Sequence, residues 1–244
     1  MFHIRRQVLI ALPRVLGIDL SITNEVVLLW ASALVTFAVL AAACRRRNPV
    51  PRGWFQNLFE ALVEFIDNEV VRRNIGDKGA AWSPFLLALF FFILFANLIG
   101  ILPPPTRIQA VTSNLNVTIG LALTVFAVTA AAKLRARGFS GFLTSFVPAG
   151  VPWWVVPLVV PIEIISWLAK PLSLAIRLFA NMVAGHSLIL IFIGMAMGMA
   201  WALRWLPLAG AVIMSGFELF VCFIQAFVFT MLTGIYLREA IESH

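Results

Sequence analysis

Charge is what this 244-residue chain has least of: charged residues make up 12% of it, about half the ~25% usual in soluble domains. Hydrophobic residues make up 61%, and mean hydropathy is +0.98. A soluble fold of this size cannot hide so much apolar surface, so lipid must be the solvent for most of the chain. There are three histidines, and His3 and His244 stand at the two chain ends. That is too few for a bis-histidine haem or a metal cluster, so no metal and no cofactor are expected. The two cysteines, Cys44 and Cys222, are far apart in sequence and are expected as free thiols. The sequence shows no P-loop and no inverted repeat of the kind found in many secondary transporters. The apolar run after Arg5-Arg6 is cut short by Pro13, so no cleavable signal peptide is expected.

The formal net charge of +7 does not point to nucleic acid. The cations are grouped between apolar runs, as Arg45-Arg46-Arg47, Arg72-Arg73 and Lys133-Leu134-Arg135-Ala136-Arg137, which is how positive-inside loops look. Five apolar stretches are long enough to cross a hydrocarbon core of about 30 Å. They are 26–44, 84–102, 117–132, and two long runs that together make up 151–237, with polar residues dotted along both. Asn24 and Ser21 are cap candidates for the first, and Pro103-Pro104-Pro105 ends the second. Residues 1–25 form an N-terminal segment. Residues 54–73 differ in kind: Phe55, Leu58, Phe59, Leu62, Phe65, Ile66 and Val70 follow helical spacing, with Glu60, Glu64, Asp67 and Arg72 on other faces. This predicts an amphipathic helix in the membrane interface, the alternative being a helix packed on a partner.

The expected fold is therefore an all-α integral membrane protein with residues 1–244 as a single membrane domain. It has five membrane helices and one interfacial helix, the last two membrane helices being long, tilted and paired as a hairpin. Thirty helical residues span about 45 Å, too long for an upright crossing. Five crossings put the termini on opposite sides. The loops with Arg45–Arg47 and Arg52, with Arg72, Arg73 and Lys78, and with Lys133–Arg137 then face the cytoplasm, as does the C-terminus. Arg107 and Arg204 fall outside, as do Arg5, Arg6 and Arg14 against the trend.

Ionisable residues inside the last two runs carry the functional information, because a charge at a helix centre in lipid costs about 2.5–3.5 kcal/mol on insertion scales. At about 100° per residue, Glu163, Ser166, Lys170, Ser173, Arg177 and Asn181 lie within about 40° of one line. His186 points about 180° away from Arg177 and about 13 Å further along. On the last run Glu218, Cys222, Gln225 and Tyr236 share a face. An antiparallel hairpin lets Arg177 approach Gln225 and His186 approach Glu218. Each has a plainer reading: Lys170 snorkelling beside Pro171, Ser166 and Ser173 bonding their own helix, His186–Glu218 docking two helices. Gly194 and Gly198 signal close packing. Arg177 resists a plain reading, since a guanidinium cannot lose its proton and no acid lies within two turns of it on its helix. Its counter-charge must come from elsewhere.

Pro171-Leu-Ser-Leu-Ala-Ile-Arg177-Leu-Phe-Ala-Asn181-Met-Val-Ala-Gly185-His186 resembles the signature of subunit a of the F-type rotary ATP synthase. Asn97-Leu98 before Gly100 and Pro103, Asn116-Val-Thr118, and Gln225-Ala-Phe227 with Thr233 and Tyr236-Leu237 extend the likeness from about residue 54 to 242. The resemblance implies a non-catalytic stator subunit that passes protons through two offset half-channels to and from the carboxylates of a c-subunit ring. It implies as partners that ring, the peripheral-stalk b subunits and the remainder of the synthase, in a bacterial plasma membrane. Arg177 matches the arginine that faces the ring, Gln225 the glutamine near it, and Asn181 the asparagine one turn away. His186 and Glu218 match a polar pair in the outer half-channel, with acid and imidazole exchanged relative to some members. Glu163 and Ser173 match positions in the inner one. Where some members carry carboxylates near the loop between the second and third spans, this chain has Thr112, Asn114 and Arg107, which implies an outer mouth lined by neutral groups. A free-standing channel or transporter is the alternative, and would pair its membrane charges within the chain. A redox-driven proton pump would need cofactor ligands that three histidines hardly supply.

Overall fold

The computed structural model describes residues 8–10, 21–45, 53–101, 111–147 and 150–242. Arg5, Arg6, Arg14, Arg46, Arg47, Arg52, Arg107 and Pro103–Pro105, which the reading of loops uses, lie outside them, as do both chain ends and the side chains of Cys44 and Lys78.

Helices dominate, in the order α1 (Asn24–Arg45), α2 (Trp54–Ile66), α3 (Arg73–Ile75), α4 (Ser83–Ile101), α5 (Leu115–Thr144), α6 (Val156–Gly198) and α7 (Trp205–Ile241). A small antiparallel ribbon, β1 (Val8–Ile10) with β2 (Ile22–Thr23), precedes them. Among the described residues five helices, namely α1, α4, α5, α6 and α7, are long and apolar enough to cross a membrane. The chain is an all-α, multi-pass membrane protein. The 43 residues of α6 extend about 64 Å and the 37 of α7 about 56 Å, so both must tilt, bend or project from a ~30 Å core. Pro161 and Pro171 lie within α6 without dividing it. Exposed tryptophans mark opposite ends of the hairpin, Trp153 and Trp154 before α6 and Trp201 and Trp205 at its turn, as side chains suited to membrane–water interfaces do.

The core lies where α7 packs between α4, α5 and α6. Phe90 and Phe91 of α4, Leu174 and Leu178 of α6, and Phe229 and Leu237 of α7 are among its fully buried members. The amphipathic segment differs from a plain helix: between α2 and α3 the chain widens into a π-helix, Asp67–Arg72. Within it the successive Val70 and Val71 are both buried, at 0% and 1% exposure. Gly234 of α7 makes the room, since a Cβ there would stand 3.1 Å from Val70 Cγ1.

The third span also outruns expectation. Helix α5 continues through its basic stretch to Thr144, bending at Gly138, whose φ of 68° and ψ of 177° are non-helical. Lysine and arginine are good helix formers, so apolar length alone misplaced that end. Beyond the bend Phe142 and Phe146 pack on Trp167 of α6, and Lys133 Nζ sits 4.8 Å from the Phe146 ring centre. Arg137 donates to the backbone carbonyls of Glu239 and Glu242 at the end of α7, where a cation complements the helix dipole.

Candidate functional site

The two long helices bring polar groups together at three levels. At the first, near the helix end shared by α4 and α5's start, His186 Nδ1 of α6 lies 2.7 Å from Glu218 Oε1 of α7. The carboxylate is 3% exposed and the imidazole 24%. The ring is held from both sides: Nδ1 is also 3.1 Å from the Met182 carbonyl, and Nε2 is 2.9 Å from that of Gly100 in α4. Oxygen faces both nitrogens, an arrangement satisfied on both sides only when both carry hydrogen. Neither Glu218 oxygen makes a well-aligned hydrogen bond among the described residues, so the 2.7 Å contact is a close approach, with Nδ1 lying between carboxylate and carbonyl.

The pair exists because Gly185 has no side chain. A Cβ there would lie 2.7 Å from Glu218 Oε1 and 2.9 Å from Cδ. Cys222, one turn beyond Glu218, is buried and free, with its Sγ 3.8 Å from Met182 Sδ.

At the second level Asn181 Nδ2 donates to Gln225 Oε1 at 2.7 Å, tying α6 to α7 again. The hairpin arithmetic placed Gln225 against Arg177; the structure places it against Asn181, one turn on. Arg177 instead points away from the bundle and is exposed. Among the described residues it has no ion-pair or hydrogen-bond partner. It borders an open recess of about 360 Å³ lined by Ala169, Leu172, Ser173, Ile176 and itself. Around it the outer face of α6 and α7 is apolar, with Ile165, Leu172, Ile176, Phe217, Phe220 and Ile224 exposed.

The third level lies toward the opposite end. Ser173, Ser166 and Glu163 are exposed on the Arg177 side of α6. Lys170 leaves the expected line, pairs with Glu239 of α7 and lies 5.3 Å from the Tyr236 ring centre. The predicted stripe thus splits. Glu163, Ser166, Ser173 and Arg177 face out, whereas Lys170 and Asn181 turn in to polar partners on α7. Snorkelling does not describe Lys170, because a carboxylate from the next helix receives it.

Sequence reasoning missed several groups near the first level. Glu25 of α1 accepts a hydrogen bond from Asn114 Nδ2, so the region predicted neutral contains a carboxylate. Asn114 Oδ1 meanwhile accepts from the Asn116 backbone N–H at 2.9 Å and caps α5. Thr112 donates to Asn97 Oδ1 at 2.7 Å, both residues being fully buried. Asn97 was visible only as part of a motif, and Glu25 was not singled out. Their convergence depends on loop geometry that has no periodicity.

A family model described as "ATP synthase A chain" matches residues 26–238. The chain is 39% identical over 234 residues to "ATP synthase subunit a" of Anaeromyxobacter dehalogenans (strain 2CP-C), covering 93% of this chain and 60% of that protein. It is 42% identical over 236 residues to "ATP synthase subunit a 2" of Chlorobium luteolum, covering 94% and 68%. It is 42% identical over 232 residues to "ATP synthase subunit a" of Gluconobacter oxydans, covering 93% and 91%. The chain thus spans about 60% of the length of the Anaeromyxobacter relative and nearly all of the Gluconobacter one. An apolar five-helix architecture, a hairpin with polar groups at three levels and these matches converge: the chain belongs to the ATP synthase A chain family.

Proposed function

We propose that this chain is the stator subunit of a rotary ATP synthase and carries protons between the two sides of a bacterial plasma membrane. Arg177 is the observation that carries the reading. A permanent cation on an apolar outer face, without a partner among the described residues, needs an anion supplied by another subunit. A ring of c subunits presenting carboxylates at that depth supplies it. The free-standing transporter is disfavoured for the same reason.

Protons enter by an outer half-channel at His186 and Glu218 and neutralise a ring carboxylate, which can then turn into lipid. After nearly a full rotation that carboxylate meets the inner half-channel at Ser173 and Glu163 and releases its proton. Arg177 stands between, about 13 Å from His186 and about 21 Å from Glu163 along the helix. Its charge favours the ionised carboxylate and repels a proton attempting to cross directly. The Asn181–Gln225 bond fixes the spacing of α6 and α7 beside it. Basic clusters at the Lys133–Arg137 end place that end and the C-terminus in the cytoplasm. The peripheral-stalk b subunits and the remaining synthase complete the assembly. ATP chemistry takes place in other subunits.

Cysteines test the orientation of α6 in the assembled complex. A cysteine at Ser173 is expected to cross-link to one placed beside the ring carboxylate, whereas one at Leu178, fully buried, is not. Equal yields from both positions would refute the proposed face. A second expectation concerns Gly185→Ala, whose methyl pushes Glu218 from His186. Moving the carboxylate out of its 2.7 Å contact with the imidazole interrupts that step of the path, so proton flux per assembled complex is expected to fall roughly tenfold, about 1.4 kcal/mol on the barrier. Native flux would show that the carboxylate relaxes without functional cost.

A further inference from the structure

The carboxylate of Glu25 has no place in the path described so far. An acid one residue into a helix ordinarily stands in water and complements the helix dipole. This one is half-buried and is held by Asn114 Nδ2, 89 positions away in sequence. Asn114 follows directly on the 3-10 turn Val111–Ser113, which packs on α1, α4, α5 and α6. Within that turn, buried Thr112 donates to Asn97 Oδ1. Asn97 is fully buried, yet its Nδ2 donor has no acceptor among the described residues. Buried amide donors without a protein acceptor are as a rule bonded to water. Three residues on, on the same face of α4 and about 4.5 Å further along, the Gly100 carbonyl receives His186 Nε2 at 2.9 Å. Polar groups from α1, the turn, α4, α6 and α7 therefore succeed one another from Glu25 to Glu218.

We infer that Glu25 is the proton-loading carboxylate at the outer mouth, exchanging protons with His186 and Glu218 through water bonded to Asn97 and Thr112. This rests on the stator reading above. Glu25 takes a proton from the outer aqueous phase on one carboxylate oxygen while Asn114 holds the carboxylate. It passes that proton to a bonded water, which releases another toward the His186–Glu218 pair. Glu25 returns to its ionised form and one proton has advanced. In the pumping direction the steps run in reverse.

The test uses inverted membrane vesicles carrying the assembled complex, with ATP-driven acidification normalised to the amount of complex. Glu25→Gln keeps the shape and an oxygen for Asn114 but cannot exchange a proton. Acidification is expected to fall at least threefold, and adding Asn114→Asp, which returns a carboxylate to the same spot, is expected to restore at least half of the loss. Native acidification by Glu25→Gln overturns the inference. So does a loss that merely follows the amount of assembled complex, or one that Asn114→Asp does not relieve. An Arg177→Lys control separates the two readings. If that control pumps normally, the stator reading fails. If it is inactive while Glu25→Gln is native, Glu25 alone is wrongly assigned.

Discussion

Replacing Arg177 by lysine is expected to reduce ATP-driven acidification of inverted vesicles to about a hundredth or less of native. Removing one member of a desolvated ion pair costs about 3–5 kcal/mol, and each ~1.4 kcal/mol is a factor of ten in rate. Lysine keeps the charge only nominally. It offers a point charge in place of a planar fork, and in a desolvated site an ammonium can give up its proton where a guanidinium cannot. Arg177→Ala is expected to be equally inactive in pumping and, in addition, to let protons leak under an imposed potential, because nothing then bars passage between the two polar levels. Both are read on the same vesicles, by acidification with ATP and by potential-driven uptake without it. Normal pumping by the lysine variant would end the case for Arg177 as a fixed-charge barrier.

The second large effect concerns His186 and Glu218. Each single replacement leaves the other group buried without its partner, a loss of about 3–5 kcal/mol. Single variants therefore confound loss of proton transfer with loss of packing. The exchange of both, His186→Glu together with Glu218→His, keeps one acid and one imidazole at a 2.7 Å contact and is expected to pump better than either single variant. It is expected to remain below native, because a carboxylate at position 186 cannot donate to the Gly100 carbonyl as Nε2 now does. The measurement is acidification at matched assembly. A double variant no better than the worse single one would mean that the pair does not act as an interchangeable unit.

The polar residues of the hairpin differ in how far sequence could place them. His186 and Glu218 were brought together correctly because both sit in uninterrupted helices, where position along the axis is nearly fixed by residue count. Arg177 was legible for the same reason, as a charge without an acid nearby. The arithmetic missed by one turn at Gln225, which meets Asn181, because the relative shift of two helices is set at their contact. Lys170 departs from its line because a long side chain reaches to whatever partner the next helix offers, here Glu239. Glu25 was passed over because no local pattern marks a residue that acts through a loop.

By itself the sequence determined that the chain lives in lipid, how many times it can cross, and that the last two helices exceed an upright span. These follow from apolar run length and from the cost of leaving backbone groups unpaired in hydrocarbon. It also showed a permanent charge at Arg177 with no acid within two turns of it on its own helix. Tertiary structure alone decided the π-helical widening at Asp67–Arg72, the seating of Val70 against Gly234, the bend at Gly138, the fit of Glu218 against Gly185, and the meeting of Glu25 with Asn114. Those features depend on how closely two backbones approach and where loops deliver side chains. Such distances arise from packing between segments far apart in sequence, and no single helix encodes them.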